Sequence, residues 1–182
     1  GELSADSRRR GSRIDFCDVH FSYPGFPGEI LHAINLSIEP GETFAVIGAT
    51  ASGKSTLVHL IPRFYDATQG SVSIDGVDVR QYPLTMLRDM VSVVLQKSEL
   101  FTGTIRDNIA IGKPDATKEE ILAAAKAAQA HDFILAQPDQ YETQVAQAGM
   151  SLSGGQRQRV AIARALLKPA GVLIFDDATS AL

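Results

Sequence analysis

From about Ile14 onward, short strand-like apolar runs alternate with helix-like stretches, which predicts an α/β chain with a largely parallel sheet. Thr43–Ile47 reads as a short buried strand leading through a glycine-containing loop into a helix that starts near Lys54. Ser71–Ile74 and Val77–Arg80 flank Asp75-Gly76, a two-residue hairpin signal, so an antiparallel portion is expected beside the parallel one. Val91–Leu95 is another apolar strand. Thr117 begins a helix with a capping box, because Glu120 lies three positions on and can return a bond to the Thr117 amide. The alanine-rich Ile121–Ala130 continues that helix. Gly154–Lys168 is a further helix, stopped by Pro169. Val172–Phe175 is an unalternated apolar run that ends in two aspartates, as expected of a central parallel strand. The stretch from about Leu100 to Gly149 looks helical and separable from the sheet on either side of it. Repeats and low-complexity tracts are absent from the sequence.

Composition narrows the classes open to such a chain. A length of 182 residues fits one domain, with 45% hydrophobic and 21% charged residues giving an ordinary globular balance. A net charge of −4 with a pI near 5.5 argues against a general nucleic-acid binder, which carries a basic face. The single cysteine, Cys17, cannot form an internal disulfide, so a reducing cytosolic setting is the default. It sits in an apolar stretch and reads as a small core residue rather than a nucleophile. No run approaches the ~18 apolar residues needed to cross a bilayer, and no signal peptide is legible, so any spanning part is expected elsewhere. Residues 1–13 are polar, with Arg8, Arg9, Arg10 and Arg13 clustered, and read as a solvated linker or a cloning remnant.

Chemistry enters with Gly48-Ala49-Thr50-Ala51-Ser52-Gly53-Lys54-Ser55, which matches G-x-x-x-x-G-K-[ST] between a predicted strand and a predicted helix. Successive amides of such a loop, together with the helix N-terminus, favour an anion. Lys54 is suited to bridge β- and γ-phosphates and Ser55 to bind Mg²⁺, with Thr56 next along the turn. Ala51 stands where many such loops have a third glycine, and its methyl restricts the backbone if that position needs φ > 0. The run Val172-Leu173-Ile174-Phe175-Asp176-Asp177 delivers carboxylates to the C-terminal edge of a strand, where ligands of open α/β sheets sit. Asp176 suits Mg²⁺ coordination, and Asp177 suits orienting or deprotonating an attacking water.

Phosphate loops occur in many kinases, GTPases and motors. The class is decided by Leu152-Ser153-Gly154-Gly155-Gln156, followed by Arg157-Gln158-Arg159. Physically this is a serine hydroxyl with glycine amides at a helix N-terminus, a second anion site. Serine N-capping alone leaves the two glycines unexplained, since glycine costs helix stability unless something needs close backbone approach. At this string the sequence resembles the nucleotide-binding domain of ABC ATPases, and the resemblance runs from Ile14 to Leu182 with every motif in family order.

The resemblance implies a P-loop NTPase core with a mixed sheet, an antiparallel β subdomain and an inserted α-helical subdomain. Residues 14–99 and 150–182 would form the ATPase core with the β subdomain, and about 100–149 the helical subdomain. Tyr23, in Phe21-Ser22-Tyr23-Pro24, looks like the aromatic that stacks on adenine; without the family it reads as an ordinary surface or core tyrosine. Gln96 matches the glutamine that links the Mg²⁺ site to the helical lobe. Leu100–Ile109 and Tyr141–Val145 are similar to stretches of multidrug and lipid exporters. ATP and Mg²⁺ are the implied cofactors. The implied partners are a second ABC ATP-binding domain, paired head to tail, and the transmembrane domains of a transporter, at the cytoplasmic face of the cell membrane. Nucleic acid is not an expected partner. Ser153, Gly154, Gly155 and Gln156 would then meet a nucleotide bound mainly by the partner domain.

Two positions depart from the family pattern. Asp177 occupies the place where hydrolysing members usually carry glutamate, a shortening on the order of 1 Å of the kind that can cost ~10²-fold in rate. Gln147 stands where exporters often have glutamate. With an intact signature, these departures resemble the weakly hydrolysing half of a heterodimeric exporter. A homodimer that tolerates aspartate, a regulatory ATP-binding module and a soluble non-transport ABC ATPase are the alternatives. The family also continues past the equivalent of Leu182 with a switch histidine, and none of His20, His32, His59 or His131 lies downstream of Asp177, so the domain is expected to be C-terminally truncated.

Overall fold

β1 (Ile14–Phe21) lies at the heart of the largest sheet among the described residues, a four-stranded one with neighbours in the order β2–β1–β3–β4. The computed structural model describes residues 11–49, 51–95, 99–145 and 152–176, organised as two compact units. The chain is mixed α/β, and this largest sheet is antiparallel rather than parallel.

The first unit spans Gly1–Val91 with Ala170–Val172. In it β1 pairs with β2 (Leu31–Ile38) on one side and β3 (Gln69–Ile74) on the other, so that Phe16 faces both Leu36 and Val72. Ile14, Phe16, Val19 and Phe21 are buried. Those positions do not keep a strict period of two, because a bulge at Cys17–Asp18, with Asp18 at φ 47°, turns two successive residues outward. Cys17 is therefore exposed rather than a core residue. The hairpin at Asp75-Gly76 is present, with φ of 51° and 79° at the two central residues, the positive pair that a type I′ turn requires. β4 (Val77–Asp78) stops short of the expected Arg80, because the Asp78 carboxylate accepts the Arg80 amide at 2.8 Å and starts a 3-10 turn at Val79–Gln81. α1 (Lys54–His59) and α2 (Leu84–Met90) complete this unit.

Thr43–Ile47 is not the buried strand its apolar content suggests. The segment has no strand neighbour among the described residues, and Ile47 is 93% exposed. An apolar run becomes a buried strand only where other elements pair with it and cover it.

The second unit spans Ser92–Pro169 with Leu173–Leu182. β5 (Val91–Val94) and β8 (Val172–Phe175) are neighbours in a two-stranded sheet. β8 has one buried face, Val172 and Ile174, while Leu173 and Phe175 are exposed, so its unbroken apolar run is not that of a strand covered on both sides. β6 (Gly103–Thr104) pairs antiparallel with β7 (Gln144–Val145). α3 (Ile105–Ala110), α4 (Lys118–Ala127) and α6 (Gly154–Leu167) pack together through Ile105, Ile109, Ile121, Ala125, Val160 and Ala163.

The Thr117 capping box forms as the spacing predicts: the Thr117 amide donates to Glu120 Oε2 at 2.9 Å, and the Glu120 amide donates to Thr117 Oγ1 at 3.2 Å. α4 nevertheless ends at Ala127 and does not reach Ala130. Gln129 turns left-handed at φ 54°, the Ala130 amide donates to the Ala125 carbonyl at 2.8 Å, and the Gln129 amide donates to Lys126 at 3.0 Å. That is a Schellman stop built on glutamine instead of glycine. α5 (His131–Leu135) follows at once. No helix among the described residues is long and apolar enough to cross a membrane.

Candidate functional site

In the first unit the phosphate loop is a strained turn that opens a short helix. Ala51 sits at φ 61°, the left-handed conformation its missing glycine partner would have adopted freely. For an L-residue that conformation costs about 1–2 kcal/mol. Gly53, at φ 89°, is the N-cap of α1. A Cβ there would lie 3.0 Å from Ile30 Cγ2 and 3.1 Å from Leu31 Cδ2, so glycine is demanded both by conformation and by room. The Lys54 ammonium donates to the Gly48 carbonyl at 2.8 Å and the Ala49 carbonyl at 2.7 Å, folded back over its own loop. The first amides of a helix have no acceptor within it and carry the positive end of its dipole, so cation and amides together suit a polyanion. Thr50 lies outside the described residues.

Tyr23 stands beside this loop. Its hydroxyl and Thr56 Oγ1, on the first turn of α1, are 2.7 Å apart. Its ring is edge-on to Phe21, with centroids 4.8 Å apart, and to Tyr65 at 5.2 Å. The structure thus brings an aromatic corner and the phosphate loop together within one unit, a neighbourhood that 33 residues of sequence separation conceal.

In the second unit the signature opens α6. Ser153 is its N-cap: the Ser153 amide donates to Gln156 Oε1 at 3.0 Å, and the Gln156 amide donates to Ser153 Oγ at 3.2 Å. The Arg157 guanidinium donates to the Leu152 carbonyl at 2.8 Å and ties the approach to the cap. Gly154 and Gly155 behave unlike Gly53. Neither has a positive φ, and a Cβ on either would meet nothing within 4 Å. Nothing among the described residues requires them to be glycine.

Asp176 follows β8, its side chain partly exposed and its amide donating to the Val94 carbonyl at 2.9 Å. Hydroxyl and carboxylate oxygens of the kind offered by Ser55 and Asp176 are the hard donors that Mg²⁺ takes. Gln96, Gln147 and Asp177 lie outside the described residues, as do residues 1–10.

Two arrangements carry no sequence signal. Buried Asn108, on α3, clamps the preceding loop: its amide nitrogen donates to the Phe101 and Thr104 carbonyls at 2.9 and 3.0 Å, while its oxygen accepts the Phe101 amide at 2.8 Å. His20, Glu29 and His32 converge on the surface of the first unit. Loops and bulges make both arrangements, and no periodicity records them.

Comparison with known proteins places these motifs in context. A family profile described as ABC transporter matches residues 31–180. A Bacillus subtilis protein named "Putative multidrug export ATP-binding/permease protein YgaD" is 54% identical over 180 residues, covering 99% of this chain and 31% of that protein. Two Staphylococcus aureus relatives with the same description are each 49% identical over 170 residues, covering 93% of this chain and 29% of their own length. The chain spans about a third of the length of the curated relatives it matches.

Proposed function

Because the chain belongs to the ABC transporter family, we propose that it is the ATP-binding and hydrolysing motor domain of an exporter, pairing head to tail with a second such domain around ATP. The relatives' names, which join export with ATP binding and permease, support the exporter reading. In this reading the parent protein supplies the membrane-spanning domains, and the motor works at the cytoplasmic face. The domain takes in residues 14–182, with about 100–149 as an inserted helical part.

Each residue then has a task. The loop Gly48–Thr56 wraps the phosphates, with the Lys54 ammonium moving from its own carbonyls onto β- and γ-oxygens. Tyr23 flanks the adenine. Ser55, Gln96 and Asp176 hold Mg²⁺, which neutralises the phosphate charge. Asp177 positions the attacking water. Ser153, Gly154, Gly155 and Gln156 close over the nucleotide carried by the partner domain. Closure on ATP and opening after hydrolysis bias the membrane domains between two orientations.

One observation carries the pairing: the empty space over Gly154 and Gly155. Glycine is less favourable than alanine in a helix, by about 0.8–1 kcal/mol in the interior and by less in the first turn, where Gly154 and Gly155 sit. A chain that tolerates two, with no contact among the described residues that needs them, keeps them for something that approaches from outside. Phosphate oxygens at a helix N-terminus are the natural visitor.

Asp177 and Gln147 support a heterodimer, in which this chain's own phosphate loop turns over slowly while its signature completes the partner's active site. In the full transporter, Asp177→Glu should raise turnover at this chain's own phosphate-loop site, and no gain would count against the heterodimer. ATP binding itself is tested by titrating ATP and Mg²⁺ into the domain. Saturable binding should be lost in Lys54→Ala while circular dichroism stays unchanged. No saturable binding by the unaltered domain would overturn the proposal.

A further inference from the structure

β1 and β2 run antiparallel, and the loop joining them folds so that three side chains meet. His20 lies near the end of β1, Glu29 in the loop and His32 at the start of β2. Both histidines turn Nδ1 to the same carboxylate oxygen, Glu29 Oε2, at 3.0 Å from His20 and 2.5 Å from His32. Their rings stand edge-on at 88°, centroids 4.9 Å apart. One ligating atom from each of the three residues lies within 4.8 Å of the others. On its far side, His20 Nε2 is 3.5 Å from Asp18 Oδ1.

Two imidazoles and a carboxylate form the donor set of a first-row transition cation, and three protein ligands plus water is a common open zinc arrangement. In a tetrahedron with bonds of about 2.0–2.1 Å, ligand atoms sit about 3.3 Å apart; the present spacings are 3.0 and 2.5 Å to Glu29 and at most 4.8 Å across the set, so small side-chain rotations bring the three donors to that geometry. We propose that His20, Glu29 and His32 form a surface site for a divalent transition cation of the zinc class, with solvent as the fourth ligand. Asp18 acts as the outer partner that holds His20 Nε2 protonated and frees Nδ1 for the metal. His32 is 80% exposed and rotates into the site without disturbing the core. The donor set separates this site from the nucleotide-linked one, since Mg²⁺ prefers oxygen ligands and imidazole suits zinc.

The site also has a neighbour. Glu29 and His32 bracket Ile30 and Leu31, the two side chains that stand against Gly53 at the start of α1. The Ile30 amide donates to the Phe21 carbonyl at 2.8 Å, two residues before Tyr23. A bound cation would brace the segment on which the phosphate loop rests.

The test is calorimetric titration of Zn²⁺ into the full parent protein, without nucleotide and with excess Mg²⁺. About one equivalent should bind per domain. His32→Ala and His20→Ala should each weaken binding by more than about a hundredfold, since loss of an outer partner alone costs about 10–100-fold in metal affinity. Asp18→Asn should fall within that smaller range. Cys17→Ser, His59→Ala and His131→Ala should change nothing, and Lys54→Ala should abolish ATP binding while leaving Zn²⁺ binding intact, so the two readings fail separately. Absence of saturable Zn²⁺ binding, or binding that survives in the combined His20→Ala/His32→Ala variant with an unaltered unfolding midpoint, would overturn the proposal.

Discussion

The phosphate loop and the signature are both glycine-containing turns that open a helix, and they solve opposite problems. At the phosphate loop the chain itself dictates glycine: Gly53 is left-handed and pressed against Ile30 and Leu31. Strain is stored there, with Ala51 also left-handed and Lys54 held by its own carbonyls. The signature stores none. Its cap is reciprocal between Ser153 and Gln156, and its glycines face open space. One loop is shaped from within by its own neighbours. The other is locally satisfied, and no contact among the described residues accounts for its glycines.

The sharpest way to break this contrast is to add the same methyl to both loops. Gly53→Ala should destabilise the domain by about 2–4 kcal/mol, from left-handed strain and overpacking together. Chemical denaturation measures it, and a loss under about 0.5 kcal/mol would mean the loop relaxes freely. Ser153→Ala should cost about 1 kcal/mol through the lost cap. Because that cap is local, thermal unfolding should register the change even in the absence of nucleotide. The smallest effect is expected of Ala51→Gly. It relieves about 1–2 kcal/mol of left-handed strain but gains unfolded-state entropy worth about 0.4–1 kcal/mol. A net stabilisation of a few tenths to about 1 kcal/mol should follow, and a net loss would show that Ala51 carries no strain.

The two loops also differ in how far their surroundings can be read from sequence. Local devices were legible: the reciprocal bonds of Thr117 with Glu120 depend on a three-residue spacing, and the Asp75-Gly76 turn on two residues that accept positive φ. The α6 start at Gly154 was equally plain. What escaped depends on neighbours or on unusual residues in ordinary roles. Gln129 ends α4 in a position where glycine would have announced the stop. Cys17, read as core from its apolar neighbours, lies on the exposed face opposite Ile14 and Phe16, and the bulge at Cys17–Asp18 then turns Asp18 outward as well. The apolar Thr43–Ile47 predicts burial, yet hydrophobicity specifies what a strand would bury, not whether a partner is there to bury it. The meeting of Tyr23 with Thr56, and of His20 with Glu29 and His32, belongs to tertiary structure alone.

The central claim is that Gly154 and Gly155 exist for a visitor from outside the chain, and one double variant tests it directly. Gly154→Ala/Gly155→Ala, made in the full parent protein, should raise helix stability by a few tenths to about 1 kcal/mol, less than the same change would give in a helix interior, while ATP turnover of the assembled protein falls by at least about tenfold. Unfolding and turnover measured on the same preparation should therefore move in opposite senses. Unchanged turnover, or turnover lost together with stability, would contradict the account.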